Sequence, residues 1–248
     1  MQHFCIFFCI NIMQRIFIFL LGLYLFVSWA FLYIFSLEDK IAHAMISMGT
    51  GLLLFWVALG GASMYLLRNK IKALVQSISI HWQMKFVLFA ILLAMIEEAI
   101  AVAMTNLAPV FGVEIGQAYI TASANYWDVV LRHSVIVFIP FFVAWAWILK
   151  RYKFSPFWAF LLFGLNGIIA ESLSFGLQNP IQFAFWVFVY GLMIYLPAYT
   201  IPQERGAIAP KFWHGILAFC LPLLAGIVWS IFFNILFPNH PSIHFPPL

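Results

Sequence analysis

Seven apolar runs, each close to the ~20 residues an α-helix needs to cross ~30 Å of hydrocarbon, divide this chain almost from end to end. They are Ile16–Phe35, Ile41–Leu67, Met84–Leu107, Val129–Leu149, Phe157–Phe175, Ile181–Ile201 and Trp213–Phe237. Period-two alternation is absent, and backbone groups in lipid must be satisfied within each segment, so the runs predict helices. Polar clusters punctuate them, among them Leu37-Glu38-Asp39-Lys40, Arg68-Asn69-Lys70-Ile71-Lys72, Lys150-Arg151-Tyr152-Lys153 and Pro202-Gln203-Glu204-Arg205-Gly206. With 65% hydrophobic and 8% charged residues, against about 25% charged in soluble domains, no soluble domain fits between the runs. The expected fold is all-α: a polytopic integral membrane bundle of about seven transmembrane helices. Residues 1–15 form a lead-in, 16–237 a single helical domain and 238–248 a short tail.

Basic residues set the expected orientation, because they stay on the cytoplasmic side. A cytoplasmic N-terminus places Arg15, Arg68, Lys70, Lys72, Lys85, Lys150, Arg151, Lys153, Arg205 and Lys211 inside, leaving Lys40 and Arg132 outside with the C-terminus. The net charge of +4 follows from that topology. It carries no sign of nucleic acid, which would call for a basic patch with interleaved aromatics on one face. Short loops and the basic bias fit a bacterial inner membrane. The first run is too long for a cleaved signal and lacks a small-x-small site after it. Met13-Gln14-Arg15 resembles a conventional start, which makes residues 1–12 an upstream extension or a membrane-surface lead-in. Cys5, Cys9 and Cys220 offer no disulfide framework or metal motif.

Glu97 and Glu98 stand side by side in the middle of the third run. Each acidic side chain at a bilayer centre costs roughly 2.5–3.5 kcal/mol on translocon scales, so both require partners inside the protein. Helical spacing places them on a stripe of small and polar residues, Ala90, Ala94, Glu97/Glu98, Ala101 and Thr105. Gly164, Gly167, Glu171, Ser174 and Gln178 form a second stripe in the fifth run, and His43, Ser47, Thr50, Gly51, Ala58 and Gly61 a third in the second run. Such stripes make helix contacts in membranes. At 1.5 Å per residue, Glu98 and Glu171 lie at matching depths on helices running in the same direction. An outward-facing pocket is expected, with His133, Arg132 and Asp128 reaching in from outside, as do His43 and Asp39. Arg132 is the basic residue placed to pair with a buried carboxylate. A short echo links Ile96-Glu97-Glu98-Ala99-Ile100 and Asn106 with Ile169-Ala170-Glu171-Ser172-Leu173 and Asn179, the form of a parallel transporter repeat.

Two carboxylates close together in low dielectric do not both stay ionised cheaply, and a protonated and an ionised carboxyl side by side serve as general acid and base. With a histidine they can instead ligate a metal that activates water. The expected site comprises Glu98 and Glu171 as acid/base groups or ligands, Glu97 as a supporting carboxylate, His133 as neighbouring base or ligand and Arg132 as electrostatic partner. If a divalent metal is bound, its candidate ligands are Glu98, Glu171 and His133.

Glu97-Glu98 resembles the first motif, Glu-Glu-x-x-x-Arg, of the membrane-embedded CAAX-protease and bacteriocin-processing family, and His133 stands at a plausible distance for that family's Phe-x-x-x-His. The likeness covers half of the motif set and implies peptide hydrolysis within the membrane. Val102 and Val129 replace the expected arginine and phenylalanine, and His214-Gly215-Ile216-Leu217-Ala218 lacks the final asparagine. The leading expectation is a membrane-embedded hydrolase acting on a lipid-borne or membrane-inserted substrate. A proton- or cation-coupled transporter of small solutes and a non-catalytic assembly protein are the alternatives. The outer segment from Ala108 to Trp127 is expected to form a lid or re-entrant helix, being longer than a plain connector. His240-Pro241-Ser242-Ile243-His244 reads as a solvated tail, because its proline prevents the helix that would align the two rings.

Overall fold

The computed structural model describes the backbone of residues 2–175, 180–241 and 243–245, and side chains over 12–172, 181–241 and 243–245. Helices account for the architecture: α1 Gln2–Ser36, α2 Lys40–Ser77, α3 Trp82–Asn106, α4 Tyr126–His133, α5 Val135–Arg151, α6 Pro156–Phe175, α7 Phe183–Thr200 and α8 Phe212–Leu236. No β-strand occurs among the described residues, only two isolated bridges. The chain is a helical bundle with the composition of a multi-pass membrane protein. Gln178 and Asn179, which belong to the second stripe and the repeat echo, lie outside the described residues, as do the side chains of Cys5, Cys9 and Ser174.

Five helices are long and apolar enough to cross a membrane, and a sixth crossing exists if α4 and α5 form one span bent by 47°. The expected straight span Val129–Leu149 is therefore broken, and the break falls at Ser134, whose φ of −116° and ψ of −77° leave helical geometry. The remaining expected span is α6. It is largely apolar, but the part with described side chains, Pro156–Ser172, falls short of a full crossing. In the opposite sense α2 runs for 38 residues, about 57 Å at helical rise, so its end carrying Arg68, Lys70 and Lys72 extends past any hydrocarbon layer.

α7 is the central helix, with 72% of it buried against 17% of α8. It packs against α6, α3 and α2, while α5 packs between α3 and α8. Close approach of α6 to α7 depends on Gly164, where an added Cβ would meet the Val187 carbonyl at 2.7 Å. Small residues serve this purpose in lipid, where backbone proximity and dispersion replace the hydrophobic drive between helices. A π-helical stretch, Leu53–Gly60, interrupts α2 and turns Trp56 inward, where its indole N–H donates to the Val189 carbonyl at 2.9 Å. π-turns of this kind reposition single side chains.

The two ends of the bundle differ. At one end Lys85 donates to the carbonyls of Val75 and Gln76, Gln76 to that of Thr200, and Arg205 to that of Leu149. Lys153 and Arg151 flank a bridge to Ile208, and Tyr152 stacks on His214 with ring centroids 3.9 Å apart. Basic residues thus gather at that end. At the other end the segment after α3 forms a packed cap: one 3-10 turn, Ala108–Phe111, then an irregular run whose Val113 and Ala118 bury against Ala44, Met48 and Met104. Ile120 N–H donates to the Thr105 hydroxyl, and the Asn106 amide donates to the Ala124 carbonyl at 2.9 Å. No re-entrant helix forms there; polar contacts to Thr105 and Asn106 at the end of α3 hold this backbone instead.

Candidate functional site

The stripe on α3 points into the bundle as its spacing requires: Ala90, Ala94, Glu97, Ala101 and Thr105 are all buried. Glu98, one residue further round, is half-buried and lies close to the Ser134 hydroxyl. Tyr126 at the start of α4 donates its hydroxyl to the Met95 carbonyl at 3.0 Å, which brings the phenol close to Glu98.

Glu171 reaches this cluster from α6. Its partner is the Tyr190 hydroxyl of α7, which donates to Oε1. Tyr190 can lie there because Gly167, one turn before Glu171, leaves room: a Cβ at Gly167 would stand 2.1 Å from the Tyr190 ring. Glu171 and Glu98 are near enough to Glu97 to repel it electrostatically, and all three carboxylates act on Tyr190. Carboxyl groups from two separate helices therefore approach one another inside the protein, with the Tyr190 hydroxyl as a donor to Glu171 and Ser134 beside Glu98.

The break between α4 and α5 supplies that serine. Val129–His133 is π-helical, and the Ser134 N–H closes onto the Val129 carbonyl at 2.9 Å. An i to i+5 ladder brings residues five apart onto one face, whereas an α-helix would set them well apart. Asp128 and His133 share a face as a result, with Nε2 3.4 Å from Oδ2, while Ser134 turns toward Glu98.

Two more histidines join them from the tail. His240 Nε2 lies 3.0 Å from His133 Nε2 and 3.8 Å from Asp128 Oδ1, and His244 Nε2 lies 3.0 Å from Asp128 Oδ2. The expected solvated tail is instead folded back. Its irregular backbone brings the two rings together without a helix, and it is held by a bond from His244 N–H to the Ala122 carbonyl and by Phe245 stacked on Tyr119 at 4.7 Å.

Other expected members lie elsewhere. Arg132 bonds Asp128 at 3.4 Å with its own side chain 53% exposed, so its carboxylate partner is Asp128 rather than Glu98. Asp39 caps α2 by accepting from Ile41 N–H and Ala42 N–H. His43 pairs with the Ser36 hydroxyl and packs edge-on to Tyr33. Neither reaches the glutamates. His214 sits against Lys211 and Tyr152 at the basic end, remote from Glu98. Comparison with protein-family models, curated proteins and solved structures finds no match.

An apolar groove of about 360 Å³ runs between α2, α3 and α7, lined by none of the glutamates but by neighbours of Glu97 on α3. Leu93 and Ile100, one turn to either side of Glu97, line it together with Trp56, Gly60 and Leu196. Its rim includes the exposed Phe55 and Ile96, so it opens on the side of the bundle.

Proposed function

We propose that this protein is a membrane-embedded hydrolase whose substrate is lipid-borne or inserted in the membrane, with Glu98 and Glu171 as the acid/base pair. The observation that carries the reading is the meeting of Glu97, Glu98 and Glu171 in the interior, each helix contributing acids at a depth where they are costly. In such a pair one carboxylate takes a proton from water as it attacks the substrate's carbonyl or phosphoryl centre, and the other gives a proton to the leaving group. Glu97 adds a third carboxyl to the cluster. Tyr190 donates to Glu171, and Ser134 stands beside Glu98. The lateral groove beside Glu97 supports a substrate with an apolar portion, since such clefts bind ligands mainly through apolar walls. Gathering of Lys85, Lys150, Arg151, Lys153, Arg205 and Lys211 at one end supports a cytoplasmic placement of that end, in a bacterial inner membrane, with the glutamates reached from the opposite side.

The test uses purified full-length protein in liposomes of membrane lipid extract with its co-extracted peptides. Mass spectrometry should find cleavage products that wild type releases and that both Glu98→Gln and Glu171→Gln fail to release at equal expression. Unchanged products in both variants would refute the assignment. Solute or proton flux that depends on the same two glutamates, with no product formed, would assign them to transport instead.

A further inference from the structure

We infer that Asp128, His133, His240 and His244 form a binding site for one divalent transition metal of the zinc class, through which the C-terminal tail is fastened to α4. One ligand atom from each residue lies within 4.8 Å of all the others. The three imidazoles direct the same nitrogen, Nε2, at one carboxylate. Bonds of about 2.0–2.1 Å in a tetrahedron would set neighbouring ligand atoms about 3.3 Å apart. The observed separations bracket that value: 3.0 Å between His133 and His240, 3.0 and 3.4 Å from Asp128 Oδ2 to His244 and His133, and 3.8 Å from its Oδ1 to His240. Small inward shifts centre an ion among them.

Chemistry selects the metal class. Three imidazoles and one carboxylate suit zinc and its neighbours, whereas calcium and magnesium take oxygen donors. Supporting groups are in place as well. Arg132 bonds Asp128 Oδ1, and the buried Ser123 stands close to the same carboxylate; outer partners of this kind orient a ligating carboxylate. With four protein ligands the coordination is closed, which is the pattern of structural rather than catalytic zinc. The ion's role is therefore to hold the tail, and with it His133, beside the Ser134 that lies close to Glu98. This site is distinct from the glutamate cluster, and its metal requires nothing of the proposed hydrolysis.

The experiment is metal binding by the full chain in detergent, stripped with chelator and then titrated with Zn²⁺, with Co²⁺ as a spectroscopic probe. Wild type is expected to take up one Zn²⁺ per chain and to give the intense visible absorption of tetrahedral Co²⁺. His240→Ala and His244→Ala should each weaken binding at least tenfold, and the double variant should abolish it. Both residues lie in the tail beyond the helices, so helical circular dichroism and a monodisperse elution profile will confirm that the bundle persists. His214→Ala, at the opposite end, should bind as wild type does. No uptake by wild type would leave a purely hydrogen-bonded histidine cluster and overturn the inference. Undiminished uptake by the double variant would overturn it equally.

Discussion

The glutamate cluster and the histidine cluster lie one residue apart at the junction of α4 and α5, yet they are built by opposite means. Glu97, Glu98 and Glu171 come from long helices whose depth and facing follow from the 3.6-residue period. Any chain with acids at those positions must gather them, because lipid offers them no partner. His133, His240 and His244 could each be satisfied by water. They meet only because a π-turn aligns His133 with Asp128 and an irregular tail folds back over the cap. A costly residue advertises its site, whereas an inexpensive one is recruited without a trace in the hydropathy pattern.

That contrast makes the inner cluster sensitive to packing. Gly167→Leu forces a side chain into the Tyr190 ring. Overpacking costs about 1–3 kcal/mol, occasionally more, and here it also removes the donor from Glu171. A clear drop in the detergent unfolding midpoint is expected, together with loss of product formation. Gly215→Leu, where nothing lies within 4 Å of the new Cβ, is the control and should leave both unchanged. Equal midpoints for the two variants would mean that α6 and α7 do not depend on this contact.

Tyr190→Phe is milder, since it keeps the ring and removes only the hydroxyl that donates to Glu171. Hydrogen bonds between membrane helices average about 0.6 kcal/mol and reach about 1.7, so a shift in that range is expected by denaturant or thermal unfolding. Product formation should fall further than stability if the hydroxyl positions the acid. Asp39→Ala removes the cap of α2, at a typical cost of ~1 kcal/mol, and should leave product formation unaltered. An effect of Asp39→Ala on turnover would return that residue to the site.

Much of this was readable beforehand. The helical class, the inward stripe Ala90, Ala94, Glu97, Ala101 and Thr105, and the approach of Glu171 to Glu98 follow from apolar length and helical spacing. Tyr190 was not foreseen, because a tyrosine in a central apolar helix carries no cost that marks it; the signal was Gly167, one turn before Glu171, vacating the space its ring fills. Ser134 was hidden behind the break that its own backbone makes. Arg132 pairs with no buried glutamate because its i, i+4 neighbour on the same face, Asp128, is the nearer carboxylate and lies at the outer end of α4. The tail histidines were set aside because proline excludes a helix at Pro241, although ligands need only meet in space.

The smallest effect on the fold, and the most discriminating one, is expected from the His240→Ala/His244→Ala double variant without metal. Among the described residues, and apart from the two histidines, the tail is held by a backbone bond to Ala122 and the Phe245–Tyr119 stack, while the helices bury their core without it. The unfolding midpoint of metal-free protein should therefore move by an amount within the ~0.5 kcal/mol typical of surface substitutions. Added Zn²⁺ should raise the midpoint of wild type, because a ligand that binds only the folded state stabilises it by mass action, and should do nothing for the double variant. Amide hydrogen exchange at Ile243, His244 and Phe245 reports the same event locally: Zn²⁺ should slow it in wild type alone. If Zn²⁺ protected both proteins alike, the tail would be held by its aromatic and backbone contacts, and the contrast between a costly buried cluster and a recruited one would lose its second member.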